Sequence, residues 1–315
     1  MITFVSIIIC TRDRAESLRN TLTSIKRCFI PKGWLVELIV VDNGADSKTE
    51  LVTRQMQAAD VPITYLPEPQ KGKGYAYNKG ISSAHGDILL FTDDDVCVPE
   101  NWISGMCEPI LSGAFDAIQG GIKVAPHLER PWLTGALRMW VAAVDDPLVP
   151  PEGLVGANMA FTKKAAKSAG PFDHRLGPGA SGFFDDTVYG WSLKKLGFRI
   201  GYVPMVSVIH EFNPGRLNLR SYLQIAERMA SSRVLVEQDW DLQIEGCTMY
   251  NLLVQFPGLL VSSFTQAFWY VGRGYPDQSF VFRYYRLRLW LARRAGRSIA
   301  RQSSESPTPG KTSRL

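Results

Sequence analysis

The stretch Gly86–Trp102, GDILLFTDDDVCVPENW, decides how this chain is read. Ile88–Thr92 is a short uncharged run bounded by Gly86-Asp87 and by Asp93. A run of that length and composition is a strand buried on both faces. It opens directly into three carboxylates, Asp93, Asp94 and Asp95. Carboxylates this crowded repel one another unless a cation or solvent relieves them. In isolation, a solvated acidic turn explains the triplet as well as a cation site does. If a cation is held, ligation by oxygen alone selects Mg2+ or Mn2+, ions that keep positions open for substrate phosphates.

Working outward, the same rhythm recurs. Phe4–Cys10, Leu35–Val41 and Val61–Leu66 read as further strands. Ala15–Phe29 places Leu18, Leu22 and Ile25 at helical spacing. Ser47–Ala59 reads as a helix with Ser47 as its cap and Glu50 completing a capping box. Tyr75–Ala84 and Pro99–Leu111 are the next helices, the last with proline at its start. This alternation predicts an α/β domain, a mostly parallel sheet flanked by helices. Ligands bind such sheets beyond the carboxyl ends of the strands. Three of those ends are polar: Thr11-Arg12-Asp13-Arg14, Asp42-Asn43-Gly44 and Asp93-Asp94-Asp95. Parallel strands share a direction, so the three ends converge on one rim.

The pattern changes after Phe115. Ala117–Val124 and Leu154–Thr162 read as strands. GPFDHRLGPGASGFFDD, residues 170–186, contains four glycines and reads as a loop. It delivers Asp185 and Asp186 to a helix over Thr187–Leu196. Arg199–Val203 and Ser207–Ile209 are two short strands, the second ending at His210. The isolated His85, His127 and His174 read as surface histidines, and Trp102, Trp132, Trp140 and Trp191 as core in preference to sugar platforms.

The net charge of +5 is uneven. Residues 273–315 carry nine Arg and one Lys against Asp277 and Glu305, so the preceding chain is slightly acidic. Ser221–Gln238 is an amphipathic helix, and the 27 residues 246–272 carry no formal charge. That segment suits a membrane-embedded or interfacial stretch and a buried helix pair equally. Phe280–Ala300 sets Tyr, Leu and Trp among arginines, a pattern suited to an anionic membrane surface. Nucleic acid is not expected, because no accompanying motif exists and the arginines sit beside apolar residues. The predicted divisions are a domain over 1–217, a helical, membrane-associated extension over 218–301 and a disordered tail over 302–315. The start, MITFVSIIIC, lacks a basic n-region, and the five cysteines form no C-x-x-C pair. Both features point to a cytoplasmic chain with reduced thiols, at the cytoplasmic face of the membrane.

VSIIICTRDR, LIVVDNGADS, KGKGYAYNKGI and GDILLFTDDDVCVPENW, in that order, resemble the family-2 glycosyltransferases of GT-A fold. The later GANMAFTKKAAKSAGPFDHRLGPGASGFFDD and GFRIGYVPMVSVIH resemble the acceptor half of that fold, so the likeness runs from Val5 to His210. It implies inverting transfer of a sugar from a nucleotide-diphosphate donor to an acceptor hydroxyl. By the same resemblance Thr11 and Arg14 line the nucleotide pocket, and Asp42 accepts from a base N–H. Lys73 lies near the nucleotide or its phosphates, Asp93 near the ribose or donor sugar. Asp95 holds Mg2+ or Mn2+, with His210 assisting at metal or diphosphate. Asp186 matches the general base, in a pair that is usually Glu-Asp and here is Asp185-Asp186. A helix start helps keep both ionised. Many members carry Arg where this chain has Tyr77, and Lys73 can supply that charge. The acceptor class is a glycan or a lipid-linked sugar, as in cell-envelope polysaccharide synthesis. Three readings compete: Asp186 as a simple helix cap, an inactive scaffold of the same fold, and a hydrolase pairing Asp95 with Asp186.

Overall fold

Among the described residues, eight strands and seven helices lie in the unit Met1–Leu217, and two long helices lie in the unit Asn218–Leu315. The computed structural model describes residues 3–44, 46–57, 61–240 and 275–305, with side chains to residue 295. The strands are β1 (Thr3–Thr11), β2 (Trp34–Asp42), β3 (Ile63–Pro67), β4 (Ile88–Asp93), β5 (Val96–Cys97), β6 (Ala117–Val124), β7 (Asn158–Thr162) and β8 (Ile200–His210). They form one sheet in the order β3-β2-β1-β4-β7-β6-β8-β5. The first four are parallel, β7 runs antiparallel to both neighbours, and β6 and β8 are parallel. Register sets Thr11 beside Asp42 and Cys10 beside Asp93, so the three polar strand ends share one rim.

The sheet is buried on both faces, as the unbroken apolar runs require. Side chains of α1 (Ala15–Ile25) and α4 (Trp102–Leu111) cover Ile7, Ile9 and Leu90 on one face. On the other, α3 (Lys73–Ser83), α6 (Lys163–Ala169) and α7 (Asp185–Lys195) cover Ile8, Phe91 and Phe161. Each such side chain contributes about 1.5–3 kcal/mol when fully buried. Trp102 is part of this core, its indole N–H donating to Asn158 Oδ1 at 2.9 Å.

Several boundaries differ from the sequence expectation. The cap of α2 (Ser47–Gln55) is Asp46, which accepts from the Lys48 N–H, so Ser47 lies inside the helix. Helix α7 begins at Asp185, two residues early, putting both acids in its first turn. The two short strands after Phe198 are one strand, β8, whose register shifts opposite Gly120/Gly121. There the Pro204 carbonyl presses so close that a Cβ on Gly121 would lie 2.6 Å from it. A short fifth helix, α5 (Gly135–Met139), follows β6.

In the second unit, α8 (Leu219–Trp240) packs along α9 (Gln278–Glu305). Arg293 grips Glu237 through two bonds of 2.9 and 2.6 Å, and Tyr284 donates to Glu227. Helix α9 extends to Glu305, past the expected start of the tail. Among the described residues no helix is long and apolar enough to cross a membrane. The uncharged segment 246–272 and the tail beyond Glu305 lie outside them.

Candidate active site

The donor-side rim is built from strand ends. Thr11 closes β1 and donates its hydroxyl to Asp94 Oδ2 at 2.6 Å. Arg14, just before α1, spans two acids: Nη2 lies 2.6 Å from Asp94 Oδ1 and Nη1 2.6 Å from Asp95 Oδ2. Asp42, at the end of β2, is fully buried; it accepts from the Gly44 N–H at 2.8 Å and from the Tyr65 hydroxyl at 2.9 Å. Asn43 beside it bonds the Glu68 and Gln70 carbonyls and the Gly72 N–H, fastening the segment before α3 to the rim.

Residue 95 is also where the far edge of the sheet returns. Two-residue β5 pairs with the end of β8, and the Glu211 N–H donates to the Asp95 carbonyl at 2.7 Å. This brings His210 Nε2 to 3.4 Å from Asp95 Oδ1. His210 is buried, and its Nδ1 lies 3.0 Å from the Val141 carbonyl. A carbonyl only accepts, so Nδ1 donates to it, and Nε2 is the ring nitrogen turned to Asp95. A carboxylate oxygen and an imidazole nitrogen at this spacing, with the second ring nitrogen fixed by a carbonyl, suit a divalent cation. Among the described residues no three His, Cys, Asp or Glu side chains form a cage. The pair thus supplies two ligands and leaves the remainder to solvent or phosphate oxygens, the usual arrangement for Mg2+. Burial would raise the Asp95 carboxyl, but His210, Arg14 and Arg216 together hold it well below the ordinary carboxylate range. Asp94, more deeply buried and beside Asp95, is pushed up to about 7 despite Arg14.

The acceptor-side rim is built from the glycine-rich loop and the start of β7. Lys73, first residue of α3, places Nζ 2.5 Å from Asp93 Oδ1 and 5.1 Å above the Tyr77 ring. Its backbone N–H donates to the Pro178 carbonyl at 2.9 Å, and Asn78 bonds both the N–H and the carbonyl of Phe172. Helix α3 and the loop are therefore held together at two points. The loop leads into Phe184, which adopts a left-handed φ of 73°, and then into the two acids. Asp186 is half-buried; Oδ2 accepts from the Gly156 N–H and Oδ1 from the Thr187 N–H, each at 2.7 Å. Asp185 is buried, and its Oδ2 has no hydrogen-bond partner among the described residues. Gly177, at φ 77°, lies against it; a Cβ there would sit 2.4 Å from the Asp185 Cγ.

Burial dominates the electrostatics of this pair and outweighs the helix start. Asp185 is pushed up to about 7, by desolvation first and by Asp186 second. Asp186 is also raised by desolvation, with Lys73 and the two N–H donors resisting. Burial thus favours the protonated form of both acids more than their helix position alone suggests.

All eight expected site residues lie in this one unit. Asp93, Lys73 and Arg14 are salt-bridged, Asp95 faces His210, and Asp186 is anchored on the Gly156 N–H just before β7. The hydroxyl of Thr11 is engaged by Asp94. Sequence reasoning left Asp94, Asn78 and the Val141 carbonyl without a role. The Asp triplet and the asparagine of KGKGYAYNKGI were visible signals for the first two; a backbone carbonyl leaves none.

With this geometry in place, the comparisons with known proteins are specific. Residues 6–148 match the profile described as Glycosyl transferase family 2. Glycosyltransferase AglE of Haloferax volcanii is 31% identical over 121 residues, covering 38% of this chain and 40% of that one. The succinoglycan biosynthesis protein ExoM of Rhizobium meliloti is 29% identical over 120 residues, 38% of each chain. The chain thus spans about two fifths of the length of these relatives. In three dimensions the chain is similar to mannosyltransferase PcManGT from Pyrobaculum calidifontis, solved in complex with GDP-Man and Mn2+. That match has a TM-score of 0.56 at 17% identity and covers 97% of this chain and 76% of the other. Residues 6–148 thus match glycosyl transferase family 2, and the fold is that of the GT-A glycosyltransferases.

Proposed function

We propose that this protein is an inverting, metal-dependent glycosyltransferase that moves a hexosyl or deoxyhexosyl unit from a nucleotide-diphosphate donor to an acceptor hydroxyl. The observation that carries the reading is the presence in one unit of two unlike acid sites: Asp95 with His210, and Asp186 on the Gly156 N–H. Asp42, Thr11 and Arg14 bind the nucleoside, and Arg14 faces the phosphates. Asp93, with Lys73, orients the ribose and the donor sugar. Asp95 and His210 hold Mg2+ or Mn2+, which when bound offsets the charge developing on the departing diphosphate. Asp186 accepts the proton of the attacking hydroxyl on the opposite face of the sugar. A hydrolase pairing Asp95 with Asp186 leaves Arg14 and Lys73 without work.

A donor screen by thermal shift tests the reading. With Mn2+ present, one class among uridine, guanosine and thymidine diphospho-sugars raises the melting temperature. At a hundred times Kd the gain is about 2.7 kcal/mol. The same gain in EDTA, or none with any nucleotide sugar, contradicts the reading.

The acceptor is a glycan or a lipid-linked sugar, met at the cytoplasmic face of an anionic membrane. The arginines of α9, set among Phe282, Leu287, Trp290 and Leu291, support this. Each arginine near such a surface contributes on the order of 1 kcal/mol. The full chain should co-sediment with anionic vesicles at low salt and far less at high salt. Equal recovery with neutral and anionic vesicles contradicts the membrane reading.

A further inference from the structure

The segment between β6 and β7 carries a cluster that the proposed chemistry does not use. Arg138, on α5, forks between two carboxylates from either end of its own loop. Nη1 and Nη2 meet the two Glu129 oxygens at 2.6 and 2.7 Å, while Nε and Nη2 meet Asp145 Oδ2, the former at 2.9 Å. The Arg138 side chain is 22% exposed, while the Glu129 carboxylate it grips reaches solvent. A planar guanidinium engaged this way fixes direction as well as distance, which a lysine cannot do.

What the fork holds is a turn. The Val141 and Ala143 N–H groups both return to the Arg138 carbonyl, at 3.2 and 3.3 Å. Ala142 stands between them at φ 64°, a left-handed conformation that costs a non-glycine residue roughly 1–2 kcal/mol. Strain of this kind persists only where the surroundings over-determine it. Beyond the turn, Val144 and Ile122 exchange two backbone bonds of 2.9 and 2.8 Å, tying the segment to β6. The turn therefore has fixed ends and a fixed middle, and its product is the Val141 carbonyl, 3.0 Å from His210 Nδ1.

We propose that Arg138 is a positioning residue for His210: by clamping Glu129 and Asp145 it holds the left-handed turn that aims the Val141 carbonyl at Nδ1, keeping Nε2 turned to Asp95. The proposal rests on the reading of His210 as a metal ligand for its consequence but not for its structural content. Without the fork the turn relaxes, the ring loses its anchor, and the Asp95–His210 pair is no longer set for a cation. Groups that orient a ligating histidine typically govern metal affinity by 10–100-fold. A residue acting one step further out should fall near the lower end.

The test compares full-length wild type with Arg138→Met and Arg138→Lys. Histidine 15N and 1H spectra report, without any metal, whether the His210 Nδ1–H is held in a hydrogen bond. Mn2+ binding, followed by its electron paramagnetic resonance signal with no donor present, reports the affinity. Wild type should show a slowly exchanging, hydrogen-bonded Nδ1–H. Arg138→Met should lose that protection and show a Kd for Mn2+ raised about tenfold. Arg138→Lys retains the charge but not the fork, so it should lie between; it carries the test if the methionine variant does not fold. A wild type without a hydrogen-bonded Nδ1–H overturns the proposal, as does an unchanged Nδ1–H in a folded variant. If wild type binds no Mn2+, the metal reading fails, and the Nδ1–H comparison still decides the role of Arg138.

Discussion

At the ends of β1 and β4 the buried carboxylate of Asp95 meets the Arg14 guanidinium on one oxygen and the His210 ring by the other. At the start of α7 the carboxylates of Asp185 and Asp186 meet backbone N–H groups, each other and a lysine already paired with Asp93. Both regions bury their acids, yet Asp95 is held ionised and the α7 pair is pushed toward neutral pH. Burial alone raises a carboxyl; what differs is whether a full positive charge answers it. Carboxyls whose environments drive them apart are suited to different work, one holding a cation and the other taking a proton.

The sharpest way to break this contrast is to remove the acid that must stay charged. Asp95→Ala should abolish metal-dependent donor binding, as measured by calorimetry with and without Mn2+. Donor binding that keeps its Mn2+ dependence would erase the distinction between the rims. A smaller effect is expected where the acceptor side is fastened. Asn78→Ala leaves the N–H and carbonyl of Phe172 without their partner. The cost should be about 1–3 kcal/mol of stability, with a raised acceptor KM and little change in donor affinity. A donor defect of the same size would mean that the loop serves both sides.

The smallest effect carries the clearest sign. The folded value of Asp185, about 7, lies above its value in the unfolded chain, about 4. Its contribution to stability is fully present below about pH 4 and is lost as the pH rises through 7. Asp185→Asn removes that titration, so its melting temperature relative to wild type should climb between pH 5 and pH 8. Asp95 behaves oppositely: its contribution is present above about pH 4 and is lost as the pH falls. The deficit of Asp95→Asn should therefore shrink in acid. Slopes of the same sign in the two variants would refute the comparison.

The two regions also differed in how far the sequence disclosed them. The donor rim follows from strand direction, because Thr11, Asp42 and Asp93 end parallel runs whose register is dictated by burial on both faces. The remaining contacts are ones that side-chain identity does not encode. Gly156 holds Asp186 through its N–H, and Val141 holds His210 through its carbonyl, groups that almost every residue possesses. The cap of α2 was misplaced by one residue because Asp46 and Ser47 are both good caps; only the extended φ and ψ of Asp46 separate them. The sequence reading divides residues 199–209 into two strands, whereas β8 runs through them with a bulge made possible by Gly121. The buried pairing of Asp185 and Asp186 was visible as a dipeptide, but its environment was not. A glycine-rich loop reads as solvent-exposed until Gly177 is seen lying over the Asp185 carboxyl.

The central claim is that Asp186 takes the acceptor proton while the other rim binds the donor. Asp186→Asn keeps the size of the side chain and its contacts with the Gly156 N–H, and removes only its basicity. Turnover and donor Kd measured on the same preparation test it directly. The account predicts a fall in turnover of roughly two to four decades with donor Kd near wild type. Wild-type turnover in this variant, or loss of donor binding in step with activity, would contradict it.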